Sequence, residues 1–488
     1  PYFCPFKVPC SVEPSEKVLL RFRFSTEKDL GVTGFAKDGE VEDYIKDLKA
    51  LEFGDLPETY PTLLDDNGAR HVVTFRPPLV LGATIDIDDM GAPTTKADGD
   101  DEDEDGDDED GIQFITPLIE GYEACIRITE VDNKTDQPAS LYAFADWNGD
   151  GNLTLFKTVD IPKGTSRNED LCFTVPEIDS EKTQGMIYFR FRLSTDDAAA
   201  NADGLAMDGE VEDYKLNLGK VGNVVWFDRN YNGIQDNQEA DYGLNDLTLN
   251  LKFKGIDNIE REYQTQTDEN GEYYFCGLIE GDYTIDLMNP NRLIPTLSNV
   301  NEALEDDKDS DGIPVKDQEL TKTMASFTLE DILNNPTDEE GIEDQDLING
   351  FPTNDVAGYP DRQVNQTIDF GFIAADLGDL PDPTYRTAMK NDGPRHTQPN
   401  RLVPEIPELF LGDKVDIDLD GQGTAMADGD DLDADGDDED GVKLIKPLIP
   451  GYESAVRVKS TIPTGTIGYL NAWMDFNGNG VLDDGDHI

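Results

Sequence analysis

The sequence feature that most constrains the fold is an acidic run that occurs twice in the chain. Residues 98–111 read DGDDEDEDGDDEDG, and residues 428–441 read DGDDLDADGDDEDG. Each run is followed by an apolar stretch and then by the phrase PLI-x-GYE, at 117–123 and 447–453. A disordered acidic tail would not be bracketed so closely by strand-like sequence. The repetition therefore predicts a folded unit that is used more than once.

Other motifs recur in the same order and define the extent of this unit. An R-F-R strand motif at 19–25 returns at 188–194, and each copy is followed by DGEVEDY, at 38–44 and 208–214. Motifs that recur in a fixed order are the signature of a repeat architecture. The remaining pairs are GDLP at 54–57 and 378–381, and ADWNGDGNL at 145–153 with MDFNGNGVL at 474–482.

Placed in order, these motifs predict four segments. Residues 1–50 are the C-terminal part of one unit, 51–218 are a complete unit, 219–375 are a different block, and 376–488 are the N-terminal part of a further unit. Because both ends of the chain fall inside the repeat pattern, we expect an internal piece of a longer protein.

Strand signals dominate the chain. At 188–193, aromatic or aliphatic residues alternate with Arg190 and Arg192, and this period of two predicts a half-buried strand. Many short strands with Gly, Asn and Asp turns favour β-sandwiches in series. The predicted fold class is all-β, with tandem immunoglobulin-like or jelly-roll-like β-sandwich domains in an extended array. Further strands are predicted at 219–228, 247–253, 272–275, 282–287 and 367–373.

The charge balance excludes several partners. The 488 residues include 105 acidic and 39 basic side chains, which gives a formal net charge of −66. Such a charge repels nucleic acid and anionic membrane, and the sequence has no apolar run of the roughly 18 residues that a transmembrane helix needs. We therefore expect neither a nucleic-acid partner nor membrane insertion. The charge also repels itself, so compact folding favours cations held in fixed places.

The sharpest candidate site is the loop DRNYNGIQDNQE at 228–239. Oxygen-bearing side chains occupy positions 1, 3, 5, 9 and 12 of this loop, and Gly233 occupies position 6, where the chain must turn sharply. This is the pattern of a twelve-residue calcium loop, in which alternate residues direct oxygens to the ion. A solvated Asn/Asp turn is the alternative. The ligands predicted are Asp228, Asn230, Asn232, Asp236 and Glu239.

Two further loops follow the same pattern. The loop DFNGNGVLDDGD at 475–486 fills every position but ends in Asp, and Asp reaches less far than Glu. The loop DWNGDGNLTLFK at 146–157 has Thr154 and Lys157 at positions 9 and 12, so it either has another closing ligand or has lost the metal. The predicted ligands are Asp475, Asn477, Asn479, Asp483 and Asp486, and Asp146, Asn148 and Asp150.

Shorter acidic patterns are candidates for the same chemistry. Each has the form D-x-D-x-D-G or a close variant, and hard cations prefer such oxygens. A solvated loop is the alternative for any charge run, but the repeated spacing and folded flanks favour metal. These candidates are Asp307, Asp309 and Asp311, Asp101, Asp103 and Asp105, and Asp431, Asp433 and Asp435. The alternating pairs Asp86/Asp88 and Asp416/Asp418 would each offer two carboxylates from one side of a strand.

The GEVEDY motif and the cysteines leave alternatives open. In a strand, Glu210 and Glu212 would point to the side opposite Val211 and Asp213. These acids either form an outer acidic face, which is the interpretation that we favour, or complete a calcium site. Cys125 and Cys172 could pair within one domain of a secreted chain, or be two small buried hydrophobes.

Catalytic signatures are missing from the sequence. It contains neither H-E-x-x-H nor G-x-S-x-G, and its three histidines lie in polar contexts without a nucleophile motif. Carboxylates are too numerous for a pair of them to identify a glycoside hydrolase. We therefore predict that this chain is not an enzyme.

The motifs resemble two known domain families. DGEVEDY, with the upstream acidic run and the D-[WF]-N-G-x-G loop, resembles the GEVED domain of bacterial surface and secreted proteins, frequent in Bacteroidetes adhesins. The stretches VGNVVWFDRNYNGIQDNQE, TDENGEYYFCGLIEGDYTI and TIDFGF resemble an SdrD B-like domain, a calcium-binding relative of the Cna B-type modules. The second resemblance assigns its calcium ligands to the loop that begins at Asp228. The GEVED resemblance implies no activity.

Together these observations predict a calcium-stiffened stalk segment of a large surface adhesin or filament, used in attachment or gliding. Its cofactor would be Ca²⁺, and its partners calcium ions, neighbouring domains of the same chain, and surface glycans or other surface proteins. Export by the Bacteroidetes type 9 system follows from resemblance alone. One alternative is an accessory region of a secreted enzyme. Another is carbohydrate binding through Trp147 and Trp473, although core packing is the commoner role of such aromatics.

Overall fold

The structure is a computed structural model, and it is almost entirely β. Within the described residues, the α-helical state is limited to one short turn, α1 (Ser180–Thr183). The all-β prediction is therefore confirmed. The structure describes residues 6, 17–46, 48–74, 77–83, 85, 91–99, 110–235, 243–290, 293–298, 300, 309–315, 322–329, 364–365, 367–398, 409–429 and 440–488.

The first segment is an antiparallel hairpin of β1 (Val18–Phe24) and β2 (Glu40–Lys46). The register places Arg21 opposite Asp43, and the two side chains form an exposed ion pair of 2.7 Å. Phe22 and Phe24 are also exposed. This hairpin contains the first copies of the R-F-R and DGEVEDY motifs.

The complete unit is a sandwich of two sheets whose inner faces share one core. One sheet has the order β10-β7-β5, with β6 also paired to β7, and the other has the order β13-β11-β8-β9. A small sheet, β12-β4-β3, packs against β11 and β13 of the second sheet. The strands are β3 (Ala50–Phe53), β4 (Arg70–Val73), β5 (Leu79–Leu81), β6 (Ile112–Phe114), β7 (Glu123–Asn133), β8 (Ala139–Ala145), β9 (Thr154–Ile161), β10 (Ser166–Thr174), β11 (Met186–Ser194), β12 (Leu205–Ala206) and β13 (Glu210–Asn217).

A disulfide links the two longest strands of the first sheet. Cys125 in β7 lies directly opposite Cys172 in β10, and their sulfurs are bonded. Of the two alternatives that the sequence left open for these cysteines, pairing is therefore the one found.

Strand β11 is more deeply buried than its sequence pattern predicts. Arg190 and Arg192 have no exposed surface, and neither has Phe189 or Phe191 on the opposite face. The half-buried prediction is therefore wrong. The alternation is real, but β11 lies between β8 and β13, and the loops of the small sheet cover its polar face.

The second block is another sandwich, which begins without a linker at β14. One of its sheets has the order β17-β14-β23-β19, and β22 also pairs with β14. The other sheet has the order β16-β15-β18-β21-β20. All five strands predicted in this block are present. The strands are β14 (Gly219–Phe227), β15 (Thr248–Lys254), β16 (Glu260–Gln266), β17 (Glu272–Leu278), β18 (Gly281–Met288), β19 (Ile294–Pro295), β20 (Ile313–Pro314), β21 (Lys322–Leu329), β22 (Val364–Asn365) and β23 (Phe370–Ile373).

The last segment has the strand positions of the complete unit but only short strand pairs. Its ladders are β24 with β25, β26 with β29, and β27 with β28, and most apolar side chains between 442 and 488 are exposed. The strands are β24 (Ala375–Leu377), β25 (Arg395–Thr397), β26 (Phe410–Leu411), β27 (Val442–Leu444), β28 (Val456–Val458) and β29 (Ser460–Thr461).

The complete unit packs directly on the second block, and the second block packs on the last segment. The Leu118 N–H donates to the Gly277 carbonyl at 2.7 Å, and the Gln264 N–H donates to the Tyr122 hydroxyl at 3.0 Å. The buried core is continuous from the complete unit into the second block. At the other joint, Ile294 and Ile373 of the second block share a small core with Leu377.

Candidate functional site

The three twelve-residue loops share one hydrogen-bond frame. In each, the carboxylate of the first Asp accepts the backbone N–H of the glycine five residues later. That glycine has a positive φ between 75° and 79°, a conformation that a side chain disfavours, which explains why Gly stands at position 6. The N–H···O distances are 2.9 Å for Gly151 to Asp146, 2.8 Å for Gly233 to Asp228 and 2.9 Å for Gly480 to Asp475.

A hydroxyl from a distant part of the chain completes each frame. Tyr60 donates to Asp146 at 2.8 Å, Thr296 donates to Asp228 at 2.5 Å, and Tyr385 donates to Asp475 at 3.1 Å. Burial, and then the hydrogen bond to Asp146, raises the pKa of Tyr60. No local sequence pattern marks these hydroxyls, although Tyr60 and Tyr385 follow the two GDLP motifs by three and four residues.

The Asp228 loop is the most buried of the three. Asp228 has no exposed surface and also accepts the N–H groups of Asn230 at 3.1 Å and Tyr231 at 2.7 Å. The Asn232 side-chain oxygen accepts the Ile234 N–H at 2.8 Å. The first half of the predicted loop is therefore ordered around one carboxylate. Asp236 and Glu239 lie outside the described residues.

Part of the DKDSDG pattern reaches this loop. Asp309 is buried and forms a β-bridge with Ile234, so it lies beside the loop. Asp311 instead accepts the Asp369 N–H at 2.8 Å. Asp309 and Asp311 thus have different backbone partners, and the cation site at this pattern stays a prediction. Asp307 lies outside the described residues.

The Asp475 loop folds back on itself. Asp483 caps a 3-10 turn at Asp484–Asp486, and Asp486 accepts the Phe476 N–H at 3.3 Å, so the last predicted ligand lies beside the first. The Gly480 N–H lowers the pKa of Asp475. The Asn477 and Asn479 side-chain oxygens accept the N–H groups of Asn479 at 2.9 Å and Val481 at 2.8 Å.

The Asp146 loop closes differently. Asn148 donates to Asp150 at 3.1 Å within the loop, and the Asn152 N–H lowers the pKa of Asp150. Position 12 is Lys157, which lies in β9 and donates to the Cys172 carbonyl at 3.0 Å. Position 12 of this loop therefore carries no carboxylate. Only the first half of the calcium-loop pattern is present in it.

The predicted ligands of the two acidic runs fall in parts of the chain that the structure does not describe. Asp101, Asp103, Asp105, Asp431, Asp433 and Asp435 lie outside the described residues, as do Asp86 and Asp88. The upstream pair Asp416 and Asp418 is described, and both side chains are buried. With Asp376, they place carboxylate oxygens within 4.8 Å of one another, so the pair does face one place. Asp376 was not among the predicted ligands, and it comes from a different strand, β24.

The acids of the GEVED strand are buried, so the favoured interpretation as an outer acidic face is wrong. Glu212 accepts the Gly111 N–H at 3.0 Å, and Glu210 accepts the Leu81 N–H. Asp213 accepts the N–H groups of Asp55 at 2.9 Å and Leu56 at 3.0 Å. These three acids therefore join the last strand of the unit to backbone N–H groups in three earlier parts of the same unit.

The two tryptophans have different environments. Trp147 is 7% exposed and packs against Phe156, Phe173 and Phe189, which is the core role that the sequence favoured. Trp473 is about half exposed and lies edge-on to His487.

The Asp228 loop also contacts the next segment. Arg395 in β25 donates from Nε and Nη2 to the Tyr231 hydroxyl, at 3.2 and 3.1 Å. Tyr231 packs against the small core that includes Leu377. A candidate cation loop therefore lies at the joint between the second block and the last segment.

The fold and these loops define a class: β-sandwich domains in series, with Asx-rich loops that are ordered around a buried or partly buried carboxylate. Residues 140–217 match the family model of the GEVED domain, and residues 219–342 match that of the SdrD B-like domain. The middle of the chain is therefore a GEVED domain followed by an SdrD B-like domain, as the resemblance implied.

Similar proteins include two staphylococcal proteins. The chain is 37% identical over 154 residues to the serine-aspartate repeat-containing protein F of Staphylococcus epidermidis. The aligned region covers 30% of this chain and 9% of that protein. It is 26% identical over 329 residues to protein D of Staphylococcus aureus, covering 61% of this chain and 22% of the relative. The chain thus spans less than a quarter of either relative.

Among solved structures, the backbone protein of the group B streptococcus pilus 2b is similar at 14% identity with a TM-score of 0.17, over 39% of this chain and 87% of that one. In the described residues, no helix has both the length and the apolarity needed to cross a bilayer.

Proposed function

We propose that this chain is a segment of a secreted or cell-surface adhesin or filament stalk, in which bound calcium orders loops at the domain joints. Two observations support an exported protein. The SdrD B-like domain is shared with serine-aspartate repeat proteins, and the Cys125–Cys172 disulfide is of a kind that persists in oxidising compartments. In this proposal the stalk bears mechanical load and sets a distance from the cell surface, and it has no catalytic role.

The observation that carries the calcium proposal is the recurrence of one frame in three loops. Every donor at the predicted positions is a carboxylate or amide oxygen, and such oxygens suit Ca²⁺. An amide oxygen that accepts one N–H, as in Asn477 and Asn479, has a second lone pair for a cation. The donor set thus fits a hard cation and would not suit zinc.

Calcium at the joint would stiffen the chain for an electrostatic reason. The joint gathers the Asp228 loop, the buried Asp309 and the cluster of Asp376, Asp416 and Asp418. Like charges a few ångströms apart repel strongly away from bulk water. A divalent cation offsets this repulsion and fixes the loop against Arg395. Extracellular calcium modules bind at about 10⁻⁴–10⁻³ M, so export would switch rigidity on.

The wider role follows from this stalk. We place the segment in attachment or gliding, with surface glycans or other surface proteins as ligands of the complete protein and the type 9 system as its export route. The stalk would hold a binding region away from the cell surface.

Calcium binding is tested by titration calorimetry and thermal melting of the chain with calcium or with chelator. We expect calcium to raise the melting temperature, and Asp228→Asn and Asp475→Asn each to remove part of the bound calcium and of the rise. Asp136→Asn is the matched control, because Asp136 is exposed in the bend between β7 and β8 and lies outside the loops. If the wild type takes up no calcium, or if both loop variants match the control, the proposal fails.

A further inference from the structure

We propose that the complete unit and the second block are locked in one orientation by the PLI-x-GYE phrase, whether or not calcium is bound. We call the contact between these two domains the first joint. The contact between the second block and the last segment, at Arg395, is the second joint. In this inference, which rests on the proposed stalk function, calcium controls the second joint and the first joint is permanently stiff.

The first joint has no linker. The last strand of the complete unit, β13, ends at Asn217, and β14 begins at Gly219. Leu218, the residue between them, has no exposed surface, and its N–H donates to the Gly185 carbonyl at 2.6 Å. Domain boundaries that allow motion fall in exposed, flexible segments with few contacts. A single buried residue provides no such hinge.

The PLI-x-GYE phrase supplies the apolar part of the joint. In the complete unit it spans 117–123, and its Leu118 and Ile119 are buried. Both belong to the core cluster that also contains Leu278 and Ile279 of the second block. Domains of one chain move relative to each other unless their interface is large and hydrophobic. A core that is shared across the joint therefore opposes such motion.

Tyr122 of the same phrase joins the two domains through both its hydroxyl and its ring. The hydroxyl accepts the Gln264 N–H at 3.0 Å and donates to the Gln264 carbonyl at 3.4 Å. The ring lies edge-on to that of Tyr263, with the ring centroids 5.1 Å apart. One side chain thus contacts two successive residues of β16, and this limits rotation of one domain about the other.

Two glycines of the second block let the backbones of the two domains approach closely. A Cβ at Gly277 would lie 2.2 Å from the Leu118 carbonyl oxygen, and a Cβ at Gly255 would lie 2.7 Å from the Ile115 carbonyl oxygen. Either contact would be too short, so a larger residue at these positions would push the domains apart. Gly277 also has a positive φ of 86°, whereas Gly255 does not adopt a left-handed conformation. Substitution of Gly255 therefore tests the contact alone.

The charges at the first joint are balanced. Arg127 pairs with Asp170 in the complete unit at 2.7 Å, and Arg261 pairs with Asp257 in the second block at 2.6 Å. Each arginine is also attracted by the acid of the other domain. Two positive and two negative side chains therefore meet at this joint, and their mutual attraction needs no added cation.

The second joint has a different charge balance. Its acids are the buried Asp228 and the cluster of Asp376, Asp416 and Asp418. It too lacks a linker, because only the buried Ala374 separates β23 from β24. The two joints thus resemble each other in their connection and differ in their charge. Repulsion among acids makes the second joint depend on a divalent cation, and the first joint has no such excess of acids among the side chains named above.

Pulsed electron paramagnetic resonance of the 488-residue chain tests this inference by measuring a distance across the first joint. Nitroxide labels are attached at Lys163→Cys in the complete unit and at Glu269→Cys in the second block, both exposed positions. The cysteines outside the disulfide are first replaced by Ser, namely Cys4, Cys10 and Cys276. We expect one narrow distance distribution that is the same in calcium and in chelator. A distribution that broadens in chelator overturns the inference.

Two variants test whether the contacts described here set the orientation. Gly255→Leu places a side chain against the Ile115 carbonyl, and Tyr122→Ala removes the ring and the hydroxyl. Each should broaden the distribution in calcium and in chelator alike, with the fold of each domain checked by circular dichroism. Ile256→Ala is the control, because Ile256 lies in the same turn as Gly255 but is 57% exposed. If both joint variants keep a distribution as narrow as that of the control, the inference is wrong.

These outcomes are separate from those of the calcium proposal. The narrow distribution is expected in chelator, where no calcium is bound, so a chain that takes up no calcium can still have a rigid first joint. Calcium uptake together with a first joint that loosens in chelator would leave the calcium proposal standing and contradict the inference alone.

Discussion

Arg190 and Asp213 form a two-pronged ion pair in which neither side chain is exposed. Arg190 Nε lies 2.7 Å from Asp213 Oδ1, and Nη2 lies 2.7 Å from Oδ2. The same pair recurs in the hairpin of β1 and β2 as Arg21 and Asp43, with the same 2.7 Å contacts, but there it is exposed. One sequence motif thus supplies a buried and an exposed copy of the same interaction.

This repetition predicts a large difference between two matched variants. Asp213→Asn removes the charge opposite a fully buried guanidinium, and breaking a buried pair in this way costs about 3–5 kcal/mol. Asp43→Asn should change the free energy of unfolding little, because water screens an exposed pair. Urea unfolding measures both free energies. Equal losses in the two variants would contradict the assigned role of burial.

His71 should make the complete unit sensitive to mild acid. Its Nε2 accepts from Arg192 Nε at 3.0 Å, because an arginine can only donate, and so its Nδ1 donates to the Asp208 carbonyl at 2.7 Å. Burial, together with the charge of Arg192, holds the pKa of His71 well below its usual range. The native state therefore requires the neutral ring.

The sign of the effect follows from linkage. The unfolded state gains a proton below about pH 6.5 and the native state does not, so the free energy of unfolding should fall by about 1.4 kcal/mol per pH unit below that value. His71→Gln keeps an acceptor for Arg192 and lacks this slope. Urea unfolding of both proteins between pH 7 and about pH 5 measures how the difference in their free energies of unfolding changes with pH. A difference that stays constant over this range would argue against a buried neutral His71.

The disulfide should be a major source of stability in the complete unit. It joins two strands across 47 positions of sequence, and cross-links of this kind contribute about 2–4 kcal/mol. Replacing Cys125 and Cys172 by Ala should lower the melting temperature accordingly, and reducing agent should do the same to the wild type. Cys276→Ala, at an exposed position, is the control and should melt as the wild type does. A double variant that also melts unchanged would refute the contribution.

Arg395 should hold the second joint together. Arg395→Ala removes both donors to the Tyr231 hydroxyl and should increase the relative motion of the second block and the last segment, without unfolding either. Domain-resolved NMR relaxation detects such motion. Arg457→Ala is the control, because Arg457 is an exposed arginine of β28. Unchanged relaxation in Arg395→Ala would mean that the joint is rigid for other reasons.

Much of this fold can be predicted from the sequence because its signals are local or repeated. The strands of the second block follow from alternation, and the domain series follows from motifs such as GDLP that recur in order. The loops at Asp228 and Asp475 were recognisable because the Asx and Gly spacing itself creates the turn. Gly233, for example, must adopt a positive φ.

Long-range partners could not be predicted in the same way. The GEVED acids looked like an outer face because Glu210 and Glu212 lie on one side of the strand, yet their partners, Leu81 and Gly111, lie more than 100 positions away. Thr296 at the Asp228 loop and Asp376 beside Asp418 are likewise contributed by distant strands. Local periodicity reports which residues share a face, and it does not report what covers that face.

Small-angle X-ray scattering of the chain in excess calcium and in chelator, with melting curves on the same samples, tests the central claim most directly. The account predicts one well-defined extended profile and a higher melting temperature in calcium at about 10⁻³ M, and a broader distribution of dimensions in chelator. Superimposable scattering profiles and equal melting temperatures in the two conditions would contradict the claim that calcium stiffens this stalk.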